Sequence, residues 1–291
     1  MCDHDSMDDM LAYQLKAGLS RREFGVLSLG AGLLAVLPRV ADAAEVTETE
    51  VDIKTPDGVA DAYFVHPAQG TSAAVLVWPD AFGLRPAFRQ MGKRLAESGY
   101  AVLVVNPFYR VKHAPTSPPN PDFNDPPTRD ALMALMNGLT PQMTGSDATA
   151  FLAWLDSQKS VDRKRKAGTT GYCMGGAMTM RTAATLPARI GAGASFHGGG
   201  LVTDKPDSPH LLVPKIKAQY LIAIAANDDE KQPDAKTALR EAFAAAHGHA
   251  EIEVYPDTMH GWCPPDSKVY NAEAAEKAWA RLLVLFKAAL V

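Results

Sequence analysis

The residues of this chain best placed to do chemistry are one cysteine set among glycines, with acids and a histidine that follow it later in the sequence. Gly171-Tyr172-Cys173-Met174-Gly175-Gly176-Ala177 reads as a nucleophile elbow, a sharp strand-to-helix turn with a thiol at its apex. Before it, Lys166–Thr170 is a short apolar and β-branched run suited to a buried strand. After it, Met174–Leu186 carries the small and apolar residues of a helix. Gly171 and Gly175 stand where a side chain would collide with the neighbouring strand or helix. A helix that starts at Met174 aims its partial positive charge and free N–H groups at Cys173. That favours the thiolate and lets the Met174 N–H receive an oxyanion. The alternative is an inert buried cysteine in a tight turn, and the number of small residues around this one thiol argues against it.

A thiol nucleophile needs a base to take its proton and an acid to orient that base. Asp228 follows the apolar run Tyr220–Ala226, and His260 follows Glu251–Tyr255. Each therefore falls just past the carboxyl end of an expected strand, the edge at which open α/β sheets bind ligands. Nucleophile, then acid, then histidine is a known chain order for such sets. Asp229 and Glu230 adjoin Asp228 and fit on spacing alone. His197, in Ser195-Phe196-His197-Gly198-Gly199, also follows a strand but precedes the acid, so it reads as a structural histidine near the pocket.

The elements that must position these residues alternate between strands and helices. Val51–Ile53 and Ala62–Val65, separated by Pro56-Asp57-Gly58, read as a hairpin. Strands are expected at Ala73–Trp78, Ala101–Val105, Ala192–Phe196, Tyr220–Ala225 and Glu251–Tyr255. Helices are expected at Gln90–Ser98, Arg129–Asn137, Gly145–Ser157, Asp234–Ala246 and Asn271–Leu290. Buried strands alternating with helices predict an α/β fold, a mostly parallel central sheet with helices on both faces. Between Asn106 and Thr128 the prolines 115, 118, 119, 121, 126 and 127 exclude a regular helix or central strand. This segment reads either as a loop over the site or as a plain surface connection.

With 47% hydrophobic residues among 291, the chain has enough apolar material for one globular domain, expected over residues 44–291 as a monomer. The net charge is −4, and the longest basic run, Arg163–Lys166, precedes a strand, so nucleic acid is not expected as a partner. Cys2, Cys173 and Cys263 are too few for a disulfide framework and too far apart for metal ligation, so no metal or organic cofactor is expected. Residues 1–43 read as an export signal. Ser20-Arg21-Arg22-Glu23-Phe24 resembles a twin-arginine motif, the apolar run Phe24–Leu37 is shorter than the ~20 residues that span a bilayer, and Ala41-Asp42-Ala43 offers a cleavage site. No stable membrane anchor is expected; the partner would be the twin-arginine export machinery and the destination the periplasm.

Taken together, these residues resemble the dienelactone hydrolase family of α/β-hydrolases, whose elbow reads Gly-x-Cys-x-Gly-Gly. Trp78-Pro79-Asp80-Ala81-Phe82-Gly83 is similar to the family's early segment, a carboxylate followed by an aliphatic residue, Phe and Gly. The family typically has glutamate where this chain has Asp80. The resemblance implies an α/β-hydrolase fold, a Cys173–Asp228–His260 triad, and an oxyanion hole made by the backbone N–H groups of Ala81 and Met174. It also implies that Asp80 is an auxiliary carboxylate holding the thiol at rest. The family's best-known members hold a substrate carboxylate with arginines; Gly261–Pro265 has none, and Arg85, Arg110 and Arg129 are the candidates. The expected function is an exported hydrolase of a lactone or small ester, working through a thioester acyl-enzyme. The alternatives are a binding protein without turnover and a thiol redox protein on the same fold.

Overall fold

Strand β1 (Val46–Thr55) and strand β2 (Gly58–Pro67) pair antiparallel across the turn Pro56-Asp57, and β2 pairs antiparallel with the strand Ala101–Val105. With β3 (Ala74–Trp78) before it, that strand is β4. All further pairings are parallel: β4 with β3, β3 with β5 (Ala167–Tyr172), and then β6 (Ile190–Phe196), β7 (Gln219–Ala225) and β8 (Ala250–Tyr255). The single sheet runs β1-β2-β4-β3-β5-β6-β7-β8. This is a computed structural model, and it describes residues 37, 38, 40, 43–118 and 121–291. Of the leader expected over residues 1–43, all but residues 37, 38, 40 and 43 lie outside the described residues, Arg21 and Arg22 among them, as does Pro119.

The helices are α1 (Pro86–Glu97), α2 (Pro126–Asn137), α3 (Pro141–Ser157), α4 (Met174–Thr185), α5 (Ala226–Lys231), α6 (Ala235–Ala245) and α7 (Ala272–Ala289), with a 3₁₀ turn at Pro209–Lys215. They cover both faces because the central strands are apolar on both. In β3, Val75 and Val77 enter the core closed by Phe88, Leu95, Leu282 and Phe286 of α1 and α7. Leu76 and Trp78 enter the opposite core, closed by Phe151, Met180 and Phe243 of α3, α4 and α6. Leu282 and Phe286 are fully buried, and burial of each such side chain contributes about 1.5–3 kcal/mol. Among the described residues no helix is long and apolar enough to cross a membrane.

Helices α2 and α3 begin earlier than Arg129 and Gly145, inside or beside the proline-dense segment. Pro126 and Pro127 occupy the first turn of α2, with Asp125 accepting the Thr128 N–H (3.1 Å). Pro141 opens α3, with Thr140 accepting the Met143 N–H (3.2 Å). A first-turn proline lacks only an N–H that the helix would leave orphaned, so here proline marks a start where it had been read as an exclusion.

The strand order reverses at β3. The chain leaves β3 for β4 on one side and returns as β5 on the other, with Trp78 opposite Gly171 in register. The connections leaving β3 and β5 part there, which makes the carboxyl ends of these strands the topological switch point at which such sheets bind ligands. Asp80–Gly83 and Cys173 lie at that point.

Candidate active site

Cys173 sits at φ 54° and ψ −121°, a left-handed conformation that costs about 1–3 kcal/mol outside glycine. The surrounding backbone holds it there. Its N–H is shared between Phe196 O (3.1 Å) and His197 Nδ1 (3.2 Å), and its carbonyl accepts from the N–H groups of Gly176 (3.0 Å) and Gly199 (3.3 Å). A Cβ on Gly171 would fall 2.1 Å from Gly175 O, and one on Gly175 would fall 2.4 Å from Trp78 O. The start of α4 is thus pressed against the end of β3, which brings the turn after Trp78 beside the thiol. In that turn Asp80 accepts the Phe82 N–H on its side chain (2.9 Å) and the Gly83 N–H on its carbonyl (2.9 Å). The Ala81 N–H has no partner among the described residues. Met174, as the first residue of α4, has no intrahelical acceptor for its own.

His260 is anchored by two neighbours on α5, a helix of six residues that the sequence pattern did not reveal. Its backbone N–H donates to Asn227 Oδ1 (2.8 Å), and its Nδ1–H donates to Asp228 Oδ2 (2.8 Å) and Oδ1 (3.1 Å). Asp229 instead meets Lys236 Nζ at 2.7 Å. Successive helical residues point about 100° apart, so only one of the two acids can face the histidine. Burial acts to discharge His260, but the charges of Asp228 and Cys173 and hydrogen bonds to both prevail, and its pKa is raised from 6.5 to about 10. An imidazolium held between a carboxylate and a thiolate is the arrangement that keeps a cysteine nucleophilic at neutral pH.

His197 is fully buried at φ 39°, with its ring edge-to-face on His260 at 5.2 Å and on Trp262 at 6.3 Å. Because Nδ1 accepts the Cys173 N–H, its proton is on Nε2, which is buried without a partner among the described residues. Burial, reinforced by the charge of His260, pushes its pKa well below 6.5. It is a neutral support beneath the elbow.

Asp80 is gripped by Arg85. Both carboxylate oxygens accept from Arg85, Oδ1 at 2.6 Å and Oδ2 at 3.0 Å. Arg85 also donates Nε and Nη2 to Asp266 at 2.6 and 2.9 Å, and it lies over the rings of Phe82 and Phe88. This buried guanidinium ties the turn at Ala81 to the loop that carries His260. The sequence holds no motif for Asp266, whose partner lies 181 positions away. Of the other candidate arginines, Arg110 is held by Asp57 and Asp147, and Arg129 meets Asp130 at 3.5 Å. The proline-dense segment packs on the same turn: Thr116 and Ser117 hydroxyls donate to Phe82 O, Phe123 meets the Phe82 ring edge-on, and Lys268 bonds Asp122. Cys263 lies on the α1/α7 side, beside a cavity of about 20 Å³ lined also by Tyr172, Phe196 and Arg94. Burial pushes its thiol pKa well up, and neither it nor Cys173 is in a disulfide.

The dienelactone hydrolase family pattern matches residues 60–290. A carboxymethylenebutenolidase-like protein of Escherichia coli strain K12 is 30% identical over 233 residues, spanning 78% of this chain and 81% of that one. The carboxymethylenebutenolidase of Rhodococcus opacus is 26% identical, over 75% of this chain and 82% of its own length. A solved dienelactone hydrolase-like structure from Klebsiella pneumoniae superposes with a TM-score of 0.72 at 24% identity, covering 84% of this chain and 99% of that one. With a mostly parallel eight-stranded sheet, an elbow at its switch point and relatives of this kind, the chain belongs to the dienelactone hydrolase family and is a hydrolase of ester bonds.

Proposed function

We propose that the chain hydrolyses a lactone or small ester by covalent catalysis at Cys173. The observation that carries this reading is His260, bonded to Asp228 through Nδ1 and lifted in pKa by Cys173. The Cys173 thiolate attacks the carbonyl carbon, a C–S bond forms, and the oxyanion is received by the N–H groups of Ala81 and Met174. Collapse breaks the C–O bond, and the departing alkoxide takes the proton from His260. In a lactone both products stay joined as one hydroxy-acyl thioester. Loss of the thiolate charge removes one of the interactions that lift His260, so the imidazole that has given up its proton stays neutral and is available as the general base of the second step. It takes a proton from water, the hydroxide attacks the thioester, and the thiolate leaves.

The direct test is a hydrolysis screen of lactones and p-nitrophenyl esters with the purified chain and its Cys173→Ala and Cys173→Ser variants. Alanine should abolish turnover and serine should leave only a trace. Wild-type rates in Cys173→Ala would overturn the reading. Peroxide-dependent sulfenic acid at Cys173 without ester turnover would favour redox chemistry instead. The reading also places the protein in the periplasm by the twin-arginine route, supported by Arg21-Arg22, the short apolar run and Ala41-Asp42-Ala43. A periplasmic product starting near Ala44 is expected, and mature protein found only in the cytosol would contradict it.

A further inference from the structure

We infer that the substrate of this site is an uncharged ester or lactone, not a carboxylate-bearing one. The inference rests on the hydrolase reading above and concerns which substrate that reaction takes. Three carboxylates stand around the elbow: Asp80 is adjacent to Ala81, Asp266 shares the Arg85 guanidinium with Asp80, and Asp228 bonds the His260 ring. Against them stands one fixed cation, Arg85, with both faces of its guanidinium fork already taken. Its pKa is raised: burial opposes the charge, and the two carboxylates more than restore it. The thiolate of Cys173 and the imidazolium of His260 cancel. The fixed charge around the reacting carbonyl is therefore net negative.

Among the described residues, the lysines and other arginines around the site are paired with carboxylates, except Arg181, whose buried Nε has no hydrogen-bond partner. Arg110 is saturated by Asp57 and Asp147, and Arg129 is beside Asp130. Lys268 is bonded to Asp122 and Lys236 to Asp229. Arg181 lies two turns along α4 from Cys173, about 12 Å at 1.5 Å per residue, and the charge acting on it is Asp207. Thiolate attack moves an existing negative charge from sulfur to oxygen, so an uncharged substrate adds none. A substrate carboxylate would add another charge to a weakly solvated negative site. The flank made by the half-buried Phe82 and Phe123, in edge contact at 6.3 Å, suits an apolar acyl chain.

The test compares mono-p-nitrophenyl adipate with its methyl ester, which share an acyl chain and leaving group and differ by one negative charge. The neutral ester should have the higher kcat/KM by about tenfold or more, equivalent to roughly 1.4 kcal/mol per decade, and the gap should narrow at high salt. In Asp266→Asn, which frees part of Arg85, the ratio should shift towards the anion. Because the ratio is taken within one preparation, partial misfolding of the variant cancels. Equal rates, or preference for the anion, would overturn the inference while leaving the hydrolase reading intact. Absence of turnover with both esters, together with inactivity across the lactone screen, overturns the hydrolase reading and this inference with it.

Discussion

Two histidines stand 5.2 Å apart at the carboxyl edge of the sheet, each just past a strand, and they are driven in opposite directions. His260 is raised to about 10, whereas His197 is pushed well below 6.5. Burial disfavours the cation in both. The difference is their partners: His260 has a carboxylate on Nδ1 and a thiol beyond, while His197 accepts a backbone N–H and faces the positive ring of His260. The geometry thus sets the proposed proton carrier apart from a support, and the two can be broken independently.

The largest effect is expected at the carrier. His260→Ala should lower kcat about a thousandfold, within the usual range of general acid–base catalysis. Asp228→Asn should cost about a hundredfold and move the alkaline limb of the kcat/KM profile from near pH 10 to lower pH, since it removes the charge that raises His260. Asp229→Asn, which breaks only the contact with Lys236, should change little. Damage from Asp229→Asn with a silent Asp228→Asn would reverse the assignment. Steady-state kinetics across pH decide both.

A smaller effect is expected at the support. His197→Asn keeps an acceptor near the Nδ1 position and tolerates positive φ, so its turnover should stay within about threefold of wild type. His197→Leu leaves the Cys173 N–H with one acceptor fewer and should lose about 1–3 kcal/mol in denaturant unfolding. Equal losses from both substitutions would mean that His197 acts through Nε2 and not through the elbow.

Stability against pH sharpens the same contrast. The His260 charge stabilises the fold fully below about pH 6.5, and that contribution is lost as pH rises towards about 10. His197, neutral when folded, has the opposite sign: below about 6.5 the unfolded chain takes up a proton that the native state refuses, so stability falls with pH. In Cys173→Ala the alkaline loss should be smaller and end at lower pH, because the thiolate no longer helps to hold the His260 proton. Urea titrations at a series of pH values measure it, and unchanged curves would contradict the coupling.

What was legible in the sequence follows the range of the forces involved. Strand β4 falls at Ala101–Val105 as expected, and β3 and β7 fall within a residue, because strands buried on both faces must be apolar throughout. The elbow was legible because close backbone approach dictates glycine at fixed positions. Helix α5 was not, since six residues, five of them polar, carry no period; Asp228 was favoured over Asp229 from its place just after the strand, and the helix's rotation turns Asp228 to His260 and Asp229 to Lys236. The clamp of Asp80 by Arg85 and Asp266 was hidden for another reason: it joins residues remote in sequence by charge alone, and no local pattern encodes that. His197 keeps the structural part that its place before the acid suggested, and the shared Cys173 N–H, which no sequence pattern shows, specifies it.

The most direct measurement of the central claim is acid-quench peptide mass spectrometry after mixing the wild-type chain with a p-nitrophenyl ester. The account predicts an acyl mass increment on the peptide bearing Cys173, formed within the burst of nitrophenol release and absent in Cys173→Ala. Turnover with the increment on another residue, or with no covalent adduct under conditions that trap a thioester, would contradict it.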